Sequence, residues 1–507
     1  MSNARILKNS AILYFRLLIT LGLGLFTTRI VINALGIDDY GIYGVVAGLI
    51  TMFGFMNAAM SSSTQRYLSF DLGLNETTKL QQTFTTAINI HLLIGVVSFL
   101  LAQGIGLWAI NHLLDIPEDR LSAANTVFQF SLVAFFFGII QVPYHAATIA
   151  YERMNAYAYI SIVDAVLKLI AAYLLMTAPF DRLVFYSQLL AFISVLSFVA
   201  YFVYVQVQFK AIKYIKYFDK KYYAEILSFS GWNLFGNIAA VARGQGVNIL
   251  INIFFGVALN AAYAVAMMIQ GVLTQFASSI QQAVNPQIIK THAEKDNNRT
   301  VKLISMSSKY SFFLLLFIII PFHLNLDYIL YVWLNNVPDY SSAFIDCVFL
   351  FILIEVLSSP MIVGIQATGK VKIYQLAISI AVVMVLPVIY FLFELGYKDP
   401  LLAFYVVVFS SFISLLLRLY FIRSYMHFDV VYFIRNTILR IFYVLAVVVP
   451  AIILNSECSF LYGYSKIIFD CILFGLILAV SVYFLGMDSE ERAVVKKIIG
   501  NALGKSS

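Results

Sequence analysis

The sequence predicts an all-α polytopic membrane protein of about fourteen transmembrane helices. Three observations carry that prediction. Of 507 residues, 61% are hydrophobic and only 12% charged, and mean hydropathy is +0.88; soluble chains run at roughly 45–50% apolar and about 25% charged. Apolar stretches of the roughly 20 residues needed to cross a bilayer recur along the chain. The cations between them fall mainly on alternate connections. A soluble enzyme, a disordered chain and a disulfide-stapled domain are excluded by composition alone. The three cysteines, Cys347, Cys458 and Cys471, form neither a disulfide framework nor a metal cluster.

The spans read as 9–35, 40–65, 83–113, 122–150, 156–178, 183–208, 226–255, 260–289, 303–322, 341–368, 372–395, 400–423, 437–455 and 463–486. Barrel-type alternation is absent, so each is a helix. The first exceeds a signal-peptide core, carries Arg16 and Arg29, and is followed at once by further spans, so it is read as retained. With a cytoplasmic N-terminus, fourteen spans return the C-terminus to the same side. The cytoplasmic segments then hold most of the 33 Lys and Arg residues, Lys309 counted among them. The opposite side holds only Arg120, Arg182, Lys398 and Lys466, and Arg16, Arg29, Lys168, Arg243 and Arg418 fall within spans. This is the positive-inside pattern, and it predicts that both termini are cytoplasmic. It accounts for the net charge of +7 by an anionic inner leaflet rather than nucleic acid.

Two lobes are expected. Residues 1–208 form helices 1–6 and residues 226–425 helices 7–12. The basic, Tyr-rich segment 209–225 connects them as an interfacial amphipathic connector, and 426–507 hold helices 13 and 14 with a tail. A weak repeat supports the division: GIDDYGIY at 36–43 matches GVALNAAY at 256–263, with Ile37/Val257 and Val45/Val265 in the same register. Such parallel repeats are a transporter signature.

The connections are too short for a nucleotide domain or a glycosyltransferase site. GNALGKS at 500–506 lacks the spacing and the preceding strand of a phosphate loop. Asp115, Glu118 and Asp119 read as a solvated turn. No metal-ligand spacing, hydrolase motif or cofactor motif is present, so neither an enzyme nor a cofactor is implied.

Intramembrane polar groups are therefore the functional candidates. Asn9, Arg16, Thr20 and Thr27 share one stripe of the first span, facing protein or water; Arg16 either lines a cavity or snorkels to headgroups. Arg29 points away from that stripe, near the outer end. The seventh span is the most polar: Asn233, Asn237, Asn248 and Asn252 cluster on one side, with Gln245 between Gly244 and Gly246. Arg243 lies too deep to snorkel, so water, an acid or an anionic ligand must meet it. The glycines would let the helix bend or another backbone approach. Asp164 and Lys168 form an i,i+4 pair, either self-neutralising or presenting Lys168 to a cavity. Glu355, near Ser358, Ser359 and Pro360, is a candidate for ion coupling or for pairing with Arg243 or another cation. Arg418 reads as a boundary residue.

TRIVINALGIDDYGIYGVVAGLI and SSSTQRYLSFDLG, then SGWNLFGNIAAVARGQGVNILINIFFGVALNAAYAVAMMIQ, then AVNPQIIKTHA and IQATGKVKIYQ, resemble the Wzx-type polysaccharide flippases. These belong to the multidrug/oligosaccharidyl-lipid/polysaccharide (MOP) exporter superfamily, which also holds the MATE drug exporters and lipid II flippases. The resemblance runs to about residue 430. It implies a MATE-like, V-shaped, two-lobe transporter working by alternating access, with helices 13 and 14 as an extra pair. The implied cargo is an undecaprenyl-diphosphate-linked oligosaccharide, moved to the periplasmic leaflet for O-antigen, capsule or similar polymers. By position, Arg16, Arg29 and Arg243 are the implied diphosphate ligands. Lys168, Asn237, Gln245 and Asn248 join them as candidate substrate contacts, and Asp164 and Glu355 as candidate sites for a coupling proton or sodium ion. Polysaccharide polymerase or ligase machinery is an implied partner. The competing expectation is a MATE-like ion-coupled drug or cation antiporter, which would favour acids over arginines in its cavity.

Overall fold

The computed structural model describes residues 3–51, 54–112, 114, 116–178, 181–458 and 462–502. Asp115 and residues 503–507, which include the end of the GNALGKS string, lie outside them. Helices follow one another as α1 Asn3–Leu35, α2 Ile37–Thr51, α3 Gly54–Gly73, α4 Thr77–His112, α5 Glu118–Ala150, α6 Met154–Thr177 and α7 Arg182–Gln208. Then come α8 Lys220–Phe255, α9 Val257–Ala293, α10 Asn297–Leu324, α11 Leu326–Leu334, α12 Ser341–Ala367, α13 Lys372–Val383, α14 Val385–Glu394 and α15 Leu401–Met426. The chain continues through the short α16 Val430–Phe433, α17 Leu439–Cys458, α18 Tyr464–Ser481 and α19 Ser489–Ala502. Thirteen of the described helical segments are long and apolar enough to cross a membrane. The expected second span, 40–65, falls on α2 and α3, either side of residues 52–53. The protein is an all-helical polytopic membrane protein.

The chain forms two compact units, Asn9–Asn237 and Ile238–Ser507 with Met1–Lys8. The division falls inside α8, so segment 209–225 lies in the first unit. This segment is not helical before Lys220. It is an extended strap: Ile212 and Phe209 are buried, the Ile215 N–H donates to Thr85 Oγ1 at 3.1 Å, and the Tyr214 hydroxyl donates to Asn89 Oδ1 at 3.2 Å.

The repeat is visible in the backbone. Gly36 ends α1 and Gly256 ends α8, both at φ +82°. Each glycine N–H closes the preceding helix, on Ile32 O and Asn252 O, at 2.9 Å in both cases. Gly256 has ψ −178°, a region that only glycine enters without strain. Asn75 and Lys295, in the α3–α4 and α9–α10 turns at the same offset, also take positive φ, 56° and 61°. In the next pair of helices, Pro143 sits seven residues before the end of α5 and Pro360 seven before the end of α12.

Lipid tails are as apolar as leucine, so packing rather than water exclusion holds such helices together. In the first unit, Phe128 is fully buried against α4. It fits because residue 106 is glycine: a Cβ there would sit 2.2 Å from the ring. The second unit is built around α9, α10, α12 and α15, with Phe344 stacked on Phe404 at 4.3 Å.

One expectation about charge is corrected here. Lys309, counted with the basic segments, is buried in α10, and its Nζ donates to both carboxylate oxygens of Glu491 at 2.7 and 3.0 Å. Glu491 and Asp488 form a reciprocal capping box at the start of α19, each accepting from the other's backbone N–H, at 2.8 and 2.7 Å. The helix that follows the last span is thereby fixed to the second unit.

Candidate functional site

The first unit contains a cavity of about 580 Å³ among α1, α5, α6 and α7. Arg16 enters it from α1. Its Nη1 donates to the Tyr157 hydroxyl at 2.6 Å, and its guanidinium lies 4.8 Å from that ring's centre. No acid pairs with it among the described residues, and its Nε is buried with no hydrogen-bond partner among them. Of Arg16's readings, the structure therefore shows the cavity. Thr20 and Thr27 line the same face, each hydroxyl donating back to its own helix, on Arg16 O at 2.9 Å and Leu23 O at 2.8 Å. The amphipathic stripe arises because Thr20 and Thr27 follow Arg16 by about one and about three whole turns, which returns both close to the Arg16 azimuth.

Across the cavity, Lys168 Nζ pairs with Asp164 at 2.8 Å, as the i,i+4 spacing predicts, and Ser197 donates to Asp164 Oδ1 at 2.8 Å. Both residues of the pair line the cavity, so self-neutralisation and cavity exposure hold together. Gln141, Ser161 and Ser194 add polar groups, and His145 stands against Tyr157 and Tyr201, centroids 4.9 and 5.6 Å away. Neither His145 nor Gln141 is evident from sequence as a site residue. Their signal is position beside Pro143, whose missing N–H frees a carbonyl in that turn of α5. Arg29 is exposed and is not in the wall of this cavity.

In the second unit, Arg243 borders a smaller cavity of about 110 Å³ with Gly244, Tyr263, Gln270, Phe351 and Phe404. Its guanidinium lies 5.0 Å from the Phe351 ring centre, and no hydrogen bond or ion pair reaches it among the described residues. Asn237, Gln245 and Asn248 are not in this wall. Asn248 is engaged locally, accepting from Asn260 Nδ2 at 2.7 Å. The glycines behave differently from each other. The Gly244 carbonyl accepts from the Tyr263 hydroxyl at 2.8 Å, while Gly246 gives room to the Leu386 side chain rather than to a backbone.

Of the two kinds of partner expected for Glu355, the structure shows another cation rather than Arg243. Arg418, read as a boundary residue, is buried in α15, and its Nη1 donates to Glu355 Oε2 at 2.9 Å and to Ser358 Oγ. Tyr374 on α13 completes the contact. The reason is length: α15 runs to Met426, so Arg418 lies two turns inside the helix and has no short path to headgroups.

No protein-family model matches this chain, and no curated protein matches it. Solved structures do. An outward-facing MATE family multidrug resistance transporter of the MOP superfamily aligns with TM-score 0.70 and 13% identity, over 83% of this chain and 96% of that one. A MATE transporter in complex with MaD5 gives TM-score 0.68 and 16% identity over 83% and 96%. A MOP superfamily transporter from Pyrococcus furiosus, described as having a binding pocket of reverse polarity that suggests a different function, gives 0.67 and 14% over 83% and 95%. The chain has the MATE-like fold of MOP superfamily transporters.

Proposed function

We propose that this protein is a flippase. It carries undecaprenyl-diphosphate-linked oligosaccharide repeat units from the cytoplasmic to the periplasmic leaflet of the bacterial inner membrane, by alternating access, for polysaccharide assembly. The observation that carries this reading is Arg16, a guanidinium in a polar 580 Å³ cavity with a tyrosine hydroxyl as its partner and no carboxylate. An arginine matches phosphate oxygens in pairs, and the pairing strengthens where water is scarce. The hydroxyls of Thr20, Ser161, Ser194 and Ser197 on the same wall suit sugar hydroxyls. Arg243 provides a second cation, in a cavity wall that holds no acid among the described residues. Both termini are cytoplasmic in this reading, and the polymerase or ligase that uses the product is the natural partner.

A MATE-like cation antiporter is the second reading. The fold and the Asp164 carboxylate in the cavity favour it, while the excess of cations over acids there opposes it. That a transporter with this fold is described with a reversed pocket polarity and a different function supports deciding by the pocket rather than by the fold. The test is glycan export in cells that depend on this chain. Arg243→Ala should abolish export at normal protein abundance. Normal export by that variant would remove Arg243 from the site, and retained export by Arg16→Ala as well would remove the flippase reading.

A further inference from the structure

The two acids proposed for ion coupling are each matched by a cation, Asp164 by Lys168 and Glu355 by Arg418. Asp470 is not. It lies in α18, wholly buried, within a membrane-spanning segment. Asn325 Nδ2 donates to its Oδ2 at 2.8 Å, and Asn455 Nδ2 donates to its Oδ1 at 2.9 Å. Among the described residues it has no ion pair. A carboxylate offers about four lone-pair sites, and two amide protons fill half of them. Neutral donors also leave the charge itself uncompensated, which is costly in a low-dielectric interior.

We propose that Asp470, Asn325 and Asn455 form a binding site for a monovalent alkali cation, sodium in the first place. An amide turned by 180° keeps its shape and exchanges its NH₂ for a carbonyl oxygen. Turning Asn325 and Asn455 converts the two donors into ligands and gives an all-oxygen set with both Asp470 oxygens. Such a set selects a hard cation. The Pro321 carbonyl, 3.0 Å from Asn325 Nδ2, is within reach of the same centre. One carboxylate balances one positive charge, whereas a divalent ion would leave a buried excess. Both amides already touch the carboxylate, at 2.8 and 2.9 Å, so the smaller alkali cation, sodium, needs the smaller displacement of these side chains. The ligands come from the α10–α11 corner, α17 and α18, so the ion braces the last two spans against α10. This site stands whether or not the cargo is a lipid-linked glycan.

The experiment uses the full chain in nanodiscs, with thermal unfolding followed as sodium chloride replaces choline chloride at constant ionic strength. The wild type should rise saturably by about 3 °C or more, with a weaker response to potassium. Asp470→Asn should lose the sodium response and, without sodium, be at least as stable as the wild type. A sodium response that survives in Asp470→Asn overturns the proposal, as does a wild-type midpoint that ignores sodium and follows pH alone, because the carboxyl then holds a proton. If Asp470→Asn does not fold, Asn455→Asp decides: it must shift the half-saturating sodium concentration, and an unchanged value overturns the site.

Discussion

The same three-helix frame occurs in both units and is used in opposite ways. In the first, α5, α6 and α7 leave a cavity, and Arg16 reaches into it from α1 with only Tyr157 to bind. In the second, α12, α13 and α15 close on Arg418, Glu355, Ser358 and Tyr374. Both frames carry a proline seven residues before the end of their first helix. The difference is that one frame contains its own anion. Glu355 stands to Arg418 as an anionic ligand would stand to Arg16. Charge that is neutralised internally holds structure, and charge left without a counter-ion is available for a ligand.

Removing Glu355 gives the largest expected effect on stability. Glu355→Ala leaves a buried guanidinium unpaired and should cost about 3–5 kcal/mol, read as lost thermal stability of the purified chain. Adding Arg418→Met should recover most of it. In the first unit the same logic predicts the reverse: Arg16→Met strands no carboxylate and should be neutral or stabilising. Equal losses from Glu355→Ala and Arg16→Met would break the comparison.

The shared backbone sharpens it. Gly36→Ala and Gly256→Ala both place a side chain at φ +82°, and each should cost about 1–3 kcal/mol. The two costs should be similar, because a Cβ meets no atom within 4 Å at either position. Lys168→Ala should cost less than about 1 kcal/mol, since the Lys168 side chain is 45% exposed in its pair with Asp164. Unequal glycine costs or a large Lys168 effect would show that the units are less alike than their turns.

The smallest effect concerns pH. Asp181 caps α7 through the Val184 N–H and pairs with Arg120, which also binds Asp39 at 2.9 Å. Val371 takes the capping position of α13, which has no side-chain cap and no acid in its first turn. Partial burial pushes the Asp181 carboxyl up, but the Val184 N–H and Arg120 outweigh it and hold the group below its ordinary value of 3.8. A depressed folded value means the contribution is full above the unfolded value and is lost as pH falls through the folded one. Protection against hydrogen exchange at the start of α7, taken relative to the intrinsic rate at each pH, should therefore fall below about pH 4, and that at the start of α13 should not. Protection that holds equally at both would remove the Asp181 contribution.

The spans were legible because bilayer thickness imposes a minimum apolar length. The Arg16 stripe was legible through helical periodicity, and Asp164–Lys168 through a four-residue spacing. The rest depends on contacts distant in sequence. Arg418 and Glu355 are 63 residues apart, and a helix boundary misplaced by three residues was enough to put Arg418 at the surface. Asp470 stood alone among apolar neighbours, and its partners Asn325 and Asn455 lie on other helices. Asn237, Gln245 and Asn248 share an arc of α8 that lies roughly 120° or more from Arg243, and the cavity that Arg243 borders leaves them out.

The central claim is that the unpaired cations serve an anionic lipid-linked cargo. Its most direct test is leaflet exchange of a short undecaprenyl-diphosphate oligosaccharide in proteoliposomes, wild type against Arg16→Met. The account predicts protein-dependent exchange that falls at least tenfold in a variant as stable as the wild type. Undiminished exchange by Arg16→Met, or no glycan exchange beside ion-coupled uptake of an organic cation, would contradict it.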